Sequence, residues 1–394
     1  MGNHKRSLPK LTMIPSGHLA GALQRRLPNQ SVWKVPADII SQISALAASV
    51  RTQPVSLLSC EDFTLYKKIK ERTFALNLNN LTRTNAYLQF FHQHTEIKWS
   101  FLAHMVSRNA GYYMTDLQGE LIPKLLDEKT RRKWFLLLEH SNYMIFHDAF
   151  PQLLVYEESK KRKKDLFHLL PFFGVSKIMV PVWKMFFTNK NREILPLFLI
   201  LNEQRYIEDR VLKQPYYHDV LQSKAFYWQE ALNLTHILFP AGKSLYGLQS
   251  KRFSSWRERV EFGGALFKIL FSPCQFSSIY EFASSKEHTG SREDFCGEIF
   301  SSKKHDCTAY GKERIGFFKL KKGAHPLFSP QLLQVWPEGE RPCIQKSDWY
   351  QSMDDFKDSL FIREPLWKGI YHSYFSSLHK IELSVLAHEW INKG

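Results

Sequence analysis

The sequence predicts a mostly α protein: one large multi-helix domain with an irregular, short-stranded C-terminal segment packed on it. Three observations carry this. Apolar residues recur at three-to-four spacing through most of residues 36–271. The 394 residues include 30 Phe, 16 Tyr and 10 Trp, enough buried area for a large core. Between residues 284 and 342 helical periodicity fades and Gly, Ser, Pro and Lys rise.

Residues 1–35 read as a basic mobile arm. Lys5, Arg6, Lys10, Arg25, Arg26 and Lys34 stand there without one acid. The helical domain, 36–271, opens with Ile39, Ile40, Ile43, Leu46 and Val50 at helical spacing behind Asp38 as N-cap. Residues 62–76 predict a second helix, with Lys67, Lys68 and Lys70 on its polar face. Over 80–111, Tyr87, Phe91, His94, Ile97, Phe101 and Met105 share a stripe, and Gly111 is a stop. Thr95 is the alternative, capping a second helix there. Residues 131–160 predict an internal helix, apolar on more than one side and kinked at Pro151. Five cations follow, Lys160, Lys161, Arg162, Lys163 and Lys164. An aromatic segment at 166–188 is broken by Pro171, Gly174 and Pro181, and further helices are expected at 191–211, 222–239 and 256–271. In the irregular segment, 272–350, extended pieces are expected at 315–320 and 332–336. The C-terminal piece, 351–394, is expected to be helical at 354–362 and 371–390.

The formal charge is +16, which attracts polyanions such as nucleic acid or anionic lipid. The five cysteines are odd in number and form no C-x-x-C pair, against a disulfide framework or zinc knuckle. No apolar run approaches the roughly 18 residues of a membrane span, and the N-terminus lacks the apolar stretch of a secretory signal. A cytoplasmic location with free thiols is the expectation. Gly242-Lys243-Ser244 is not a phosphate loop, because Ile237 stands where its first glycine belongs. No motif names a cofactor, and no metal site is assigned.

Polar residues among apolar stripes are the candidates for chemistry. Glu139 and Asp148, with Asn142, interrupt the oily 131–160 helix. A carboxylate there must be paired or protonated, and its shifted pKa suits general acid–base work; a structural partner such as Arg83 or Arg108 is the plain alternative. Glu203 and Glu208 could join them from the 191–211 helix, and His104 supplies an imidazole. His92 and Glu96 fall at i and i+4 if their helix is continuous, a spacing that can grip a metal, although the pattern is not a zinc motif. Arg83, Arg108, Asn109 and Arg292 are candidate binding residues; Arg292 lies in His288-Thr289-Gly290-Ser291-Arg292, a flexible run suited to anion contact. Three functions follow: a binding protein with a basic surface for anionic partners, an enzyme with a buried carboxylate/His site that could use a metal, and a scaffold docking through 166–188.

Residues 80–120 (NLTRTNAYLQFFHQHTEIKWSFLAHMVSRNAGYYMTDLQGE) resemble the YppC-like family of bacterial proteins, a domain of unknown function. FHDAFPQLLVYEESK at 146–160, LNEQRYIEDRV at 201–211 and HTGSREDF at 288–295 extend the resemblance over about residues 40–350. It implies a bacterial cytoplasmic origin and a helical fold. It carries no catalytic assignment.

Overall fold

The computed structural model describes residues 32–393 apart from 51–54, 190–192, 216–235, 251–254, 306–312, 317, 337–340, 343, 345–347, 364 and 366–368. The chain enters as strand β1 (Val32–Lys34) and helix α1 (Ala37–Ser49), with Pro36 rather than Asp38 in the N-cap position. Short polar residues start the next helices by accepting N–H groups that would otherwise be orphaned. Ser59 caps α2 (Cys60–Leu76), and Asn79 forms a capping box with Thr82 at α3 (Asn80–Gln93). Asp127 caps α5 (Glu128–Arg162) by accepting from Thr130 N at 2.8 Å.

Helix α3 stops at Gln93 and α4 (Lys98–Asp116) follows after a short connection, with Ile97, not Thr95, in the N-cap position. The break separates His92 from Glu96. Glu96 instead accepts from Tyr156 at 2.8 Å and Lys160 at 2.5 Å, so the i, i+4 metal grip does not exist. Helix α4 is the axis of the fold, burying Trp99, Phe101, Met105, Tyr112 and Met114 on several sides. Helix α5 runs about 50 Å by its 35 residues and continues through Pro151. The chain goes on through a 3-10 stretch (Phe167–Phe173), α6 (Met179–Asn189) and α7 (Ile194–Ile207), which ends in a π turn (Glu208–Leu212).

Residues 236–239, expected as helix, are strand: β2 (His236–Ala241) pairs antiparallel with β3 (Ser244–Gln249); 216–235 lie outside the described residues. Gly247 is required in β3, because its φ is +133° and a Cβ would sit 1.8 Å from the Ile237 carbonyl oxygen. Helices α8 (Trp256–Leu270) and α9 (Phe276–Ser285) complete the body. Helix α8 approaches α7 closely at Gly263, where a Cβ would lie 2.7 Å from Ile200 Cγ2.

The later chain holds α10 (Glu293–Cys296), a two-residue parallel pairing of β4 (Phe300–Ser301) with β5 (Leu327–Phe328), α11 (Leu332–Val335), β6 (Phe361–Arg363) and α12 (Tyr371–Lys393). Residues 332–335 are thus helix, not extended, and 354–362 form 3-10 turns leading into β6. Strand β6 pairs with β1, so Lys34, expected in a mobile arm, belongs to a sheet; residues 1–31 lie outside the described residues. The fold is mostly α with small two-stranded sheets.

One apolar core runs from α1 to α9. A second joins the end of α4, the start of α5, the β2–β3 hairpin and α12. There Trp336 stacks on Phe135 at 4.2 Å and donates to the Met114 carbonyl at 2.6 Å. In the 166–188 segment Phe167 and Trp183 are fully buried in the main core, while Phe172, Phe173 and Phe187 are half-buried against it. Among the described residues no helix is long and apolar enough to cross a membrane.

Candidate functional site

Helix α3 carries Arg83 and Tyr87 at i and i+4, which puts both side chains on one face. That face meets Ala103 and Ser107 of α4, Asn142 of α5, Ile200 and Glu203 of α7, Ile237 of β2, and Arg259 and Leu266 of α8. Together they enclose a cavity of about 190 Å³. Seven aliphatic side chains share the wall with seven polar ones of opposite kinds, among them Arg83, Arg259 and Glu203.

Arg83 is fully buried. Its Nη2 donates to Glu139 Oε2 at 2.5 Å and its Nη1 to Asn77 Oδ1 at 3.1 Å. Its Nε has no hydrogen-bond partner in the protein, nor has the Tyr87 hydroxyl. Burial raises the Glu139 carboxyl above its ordinary value, with Arg83 opposing. Burial likewise keeps Tyr87 a neutral phenol.

Glu203 accepts from Gln204 Nε2 at 3.0 Å; Gln204 Oε1 accepts from Arg259 Nε at 3.0 Å, and Arg259 Nη2 pairs with Glu208 at 2.5 Å. Burial pushes the Glu203 carboxyl up to about 7; Gln204 pulls it back and the charge of Asp148 raises it further. By exposed area Glu203 is only half-buried. The protein nonetheless surrounds its carboxyl, and the residue lines the cavity. Such a group gives and takes a proton near neutrality.

Asp148 lies near Glu203 but does not line the cavity. It accepts from Gln152 at 2.9 Å and from Asn202, while the indoles of Trp183 and Trp349 donate to those amides at 2.8 Å. Its Oδ1 is buried without a partner, and burial pushes the group up to about 7, against the charge of Arg210.

The remaining candidates stand elsewhere. His104 Nδ1 donates to the Thr84 carbonyl at 2.8 Å and the ring stacks on Phe101; burial lowers it to about 3, so it is a neutral core residue outside the cavity. Asn109 clamps β2, accepting from Leu238 N at 2.8 Å and donating to Leu238 O at 2.9 Å. Arg108 donates to Tyr112, and to the carbonyls of Lys286 and Glu287, at 2.8–2.9 Å. Arg292 grips Asp116 through Nε and Nη2, at 2.6 Å for the latter, and donates to Tyr374 at 3.0 Å. The run around it is a folded latch, not a free anion loop: Asp294 accepts from Thr289 at 2.6 Å and His288 bonds Asn80 at 2.9 Å. Within the cation run, Lys160 pairs with Glu96, and Arg162 with Glu61 and Glu158.

The structure therefore brings Arg83, Glu139, Glu203 and Asp148 into one neighbourhood and leaves His104, Arg108, Asn109 and Arg292 in others. Sequence reasoning missed Tyr87 and Arg259. The only trace of Tyr87 is its helical offset from Arg83. No group of three His, Cys, Asp or Glu side chains among the described residues could hold a metal.

The chain matches a family described as a protein of unknown function (DUF2515) over residues 75–360. It is 36% identical over 334 residues to the uncharacterized protein YppC of Bacillus subtilis (strain 168), covering 84% of this chain and 97% of that protein. No solved structure matches it. The chain belongs to this family.

Proposed function

We propose that this family member binds a small organic molecule in the cavity between α3, α4, α7 and α8, with Glu203 as the proton-exchanging group of an acid–base site. One observation carries the reading. Arg83, Tyr87 and Glu203 line the same cavity, and burial there pushes the Glu203 carboxyl up to about 7. A concave pocket in which apolar walls and polar groups converge is also the usual form of a small-molecule site. Arg83 is positioned by Glu139 and Asn77, and Arg259 by Glu208 and Gln204, so each polar group has a fixed direction. A proton taken from substrate would rest on Glu203, while Arg83 and Tyr87 would steady the charge left behind.

The test is a small-molecule screen by thermal shift and ligand-observed NMR on the wild type and on Val106→Phe, which fills the cavity from its half-buried rim. Compounds should stabilise the wild type and lose at least tenfold in affinity in the folded variant. Hits that bind both proteins alike would overturn the reading. The anionic-partner reading ranks behind it, because two of the five cations in the 160–164 run are already held in ion pairs.

A further inference from the structure

We infer that one flank of α2 is a docking surface for single-stranded nucleic acid, with bases stacking on its rings and phosphates meeting the cations between them. The surface is separate from the cavity and stands or falls without it. Phe63, Lys67, Lys70 and Phe74 recur at i, i+4, i+7 and i+11, so they form one stripe along the helix. Phe63 is 38% and Phe74 57% exposed, and both lysines are exposed. Beside the stripe, Tyr66 packs between Phe63, at 6.5 Å, and Phe173 of the 3-10 stretch, at 5.0 Å. Lys67 Nζ lies 4.9 Å from the centre of the Phe63 ring, Lys70 Nζ 5.8 Å from that of Tyr66, and the Arg341 guanidinium 3.8 Å from that of Phe74. Ring and cation thus alternate three times within roughly 17 Å of helix rise.

The two flanks of α2 use their charges differently. Toward α5, Lys68 pairs with Glu158 at 3.6 Å, Arg72 with Glu157 at 2.6 Å, and Glu61 with Arg162. On the ring-bearing flank, no ion pair joins Lys67, Lys70 or Arg341 to an acid among the described residues. Asp62 is taken by His168 at 3.3 Å. Glu71 lies about 100° round the helix from Lys70. An exposed cation–ring contact is weak, so an arriving anion displaces it easily. The chain as a whole, at +16, draws polyanions in.

The alternation selects the partner. A single strand repeats a phosphate and a flat ring at every nucleotide, and its unpaired bases are free to stack on aromatic side chains. A duplex hides those faces. An acidic peptide would engage the cations and leave Phe63 and Phe74 idle. A bilayer separates its anionic head groups from its apolar interior by depth, so rings that enter it project past the cations. Here each cation lies over its ring instead. At a stacked rise of about 3.4 Å per nucleotide, the stripe covers about five nucleotides. Ring faces and side-chain cations read no 2′-hydroxyl, so DNA and RNA strands should bind alike.

The experiment is fluorescence anisotropy of the full chain with labelled oligothymidylate and oligouridylate across a salt series. A DNA duplex, polyglutamate and vesicles of phosphatidylserine with phosphatidylcholine are the controls. Both single strands should bind. Phe63→Ala with Phe74→Ala leaves every charge in place and should weaken both strands at least tenfold, as expected for the loss of two stacking rings. Lys67→Gln with Lys70→Gln should reduce the slope of log affinity against log salt by about 1.4, at about 0.7 per phosphate contact. All four side chains are exposed, so both variants should keep the wild-type melting curve. If the ring variant binds the strands as the wild type does, or if neither strand binds, the inference is overturned. Tighter binding of the duplex or of polyglutamate would overturn it too. If the ring variant loses the vesicles and keeps the strands, the stripe is a membrane face and the nucleic-acid class falls.

Discussion

Arg83 and Arg292 are both buried guanidinium groups facing a carboxylate, yet they belong to different kinds of region. Arg292 spends its donors on Asp116 and Tyr374 and thereby ties α4 to α12. Arg108, nearby, does the same for α4 and the residues after α9. Arg83 holds Glu139 and Asn77 and keeps one buried N–H without a partner in the protein. Burial and pairing alone do not separate a latch from a site. What separates them is whether the protein satisfies every donor itself.

The sharpest way to break the contrast is to remove each cation. Arg292→Met should cost about 3–5 kcal/mol, because Asp116 keeps its charge in a part-buried place and Tyr374 loses its partner. Arg83→Met should cost less, about 1–3 kcal/mol, since burial already raises Glu139 and lets it take a proton. Urea unfolding of both variants checks the order; a larger loss at Arg83 would make it a latch too.

The regions also answer pH in opposite directions. Burial lowers His288 of the latch to about 4, so its contribution is present above its unfolded value near 6.5 and is lost as pH falls. Glu203 is raised to about 7, so its contribution is present below the unfolded value near 4.3 and is lost as pH rises. Glu203→Gln should therefore gain on the wild type by about 2–3 kcal/mol between pH 5 and pH 7, roughly 1.4 kcal/mol per unit, and then level off. Denaturant midpoints across that range measure it. A gain that instead grows as pH falls would reverse the assignment.

The smallest effect belongs to the helix contact beside the cavity. Gly263→Ala improves helix propensity by about 0.5–1 kcal/mol. It also drives a methyl group against Ile200, and overpacking costs about 1–3 kcal/mol. A net loss near 1 kcal/mol is expected in thermal or urea unfolding.

Much of the helical body was legible because the three-to-four spacing of apolar residues is a local property. The stretches at 131–160, 256–271 and 371–390 read as helix for that reason, and α5, α8 and α12 occupy them. Strand β2 was not legible. Its apolar run His236–Ala241 looks like the end of a helix until Asn109 and β3 take up its backbone groups. Strands β1 and β6 need partners from opposite ends of the chain, which no local window contains. The candidate site was half legible. Carboxylates in an oily helix mark themselves, as Glu139 and Glu203 do. Tyr87 sits in the stripe that holds Phe91 and Phe101, and nothing in its spacing separates a satisfied phenol from an unsatisfied one. Arg83, Arg108 and Arg292 looked alike for the same reason, since their partners come from elsewhere in the chain.

The pairing of Val32–Lys34 with Phe361–Arg363 has a practical corollary. The region shared with the family, 75–360, stops short of both strands and omits α1, whose Ile43 and Ala47 lie in the main core. A fragment trimmed to those limits would shed a whole flank of the molecule, so expression boundaries have to be drawn from where the two chain ends meet.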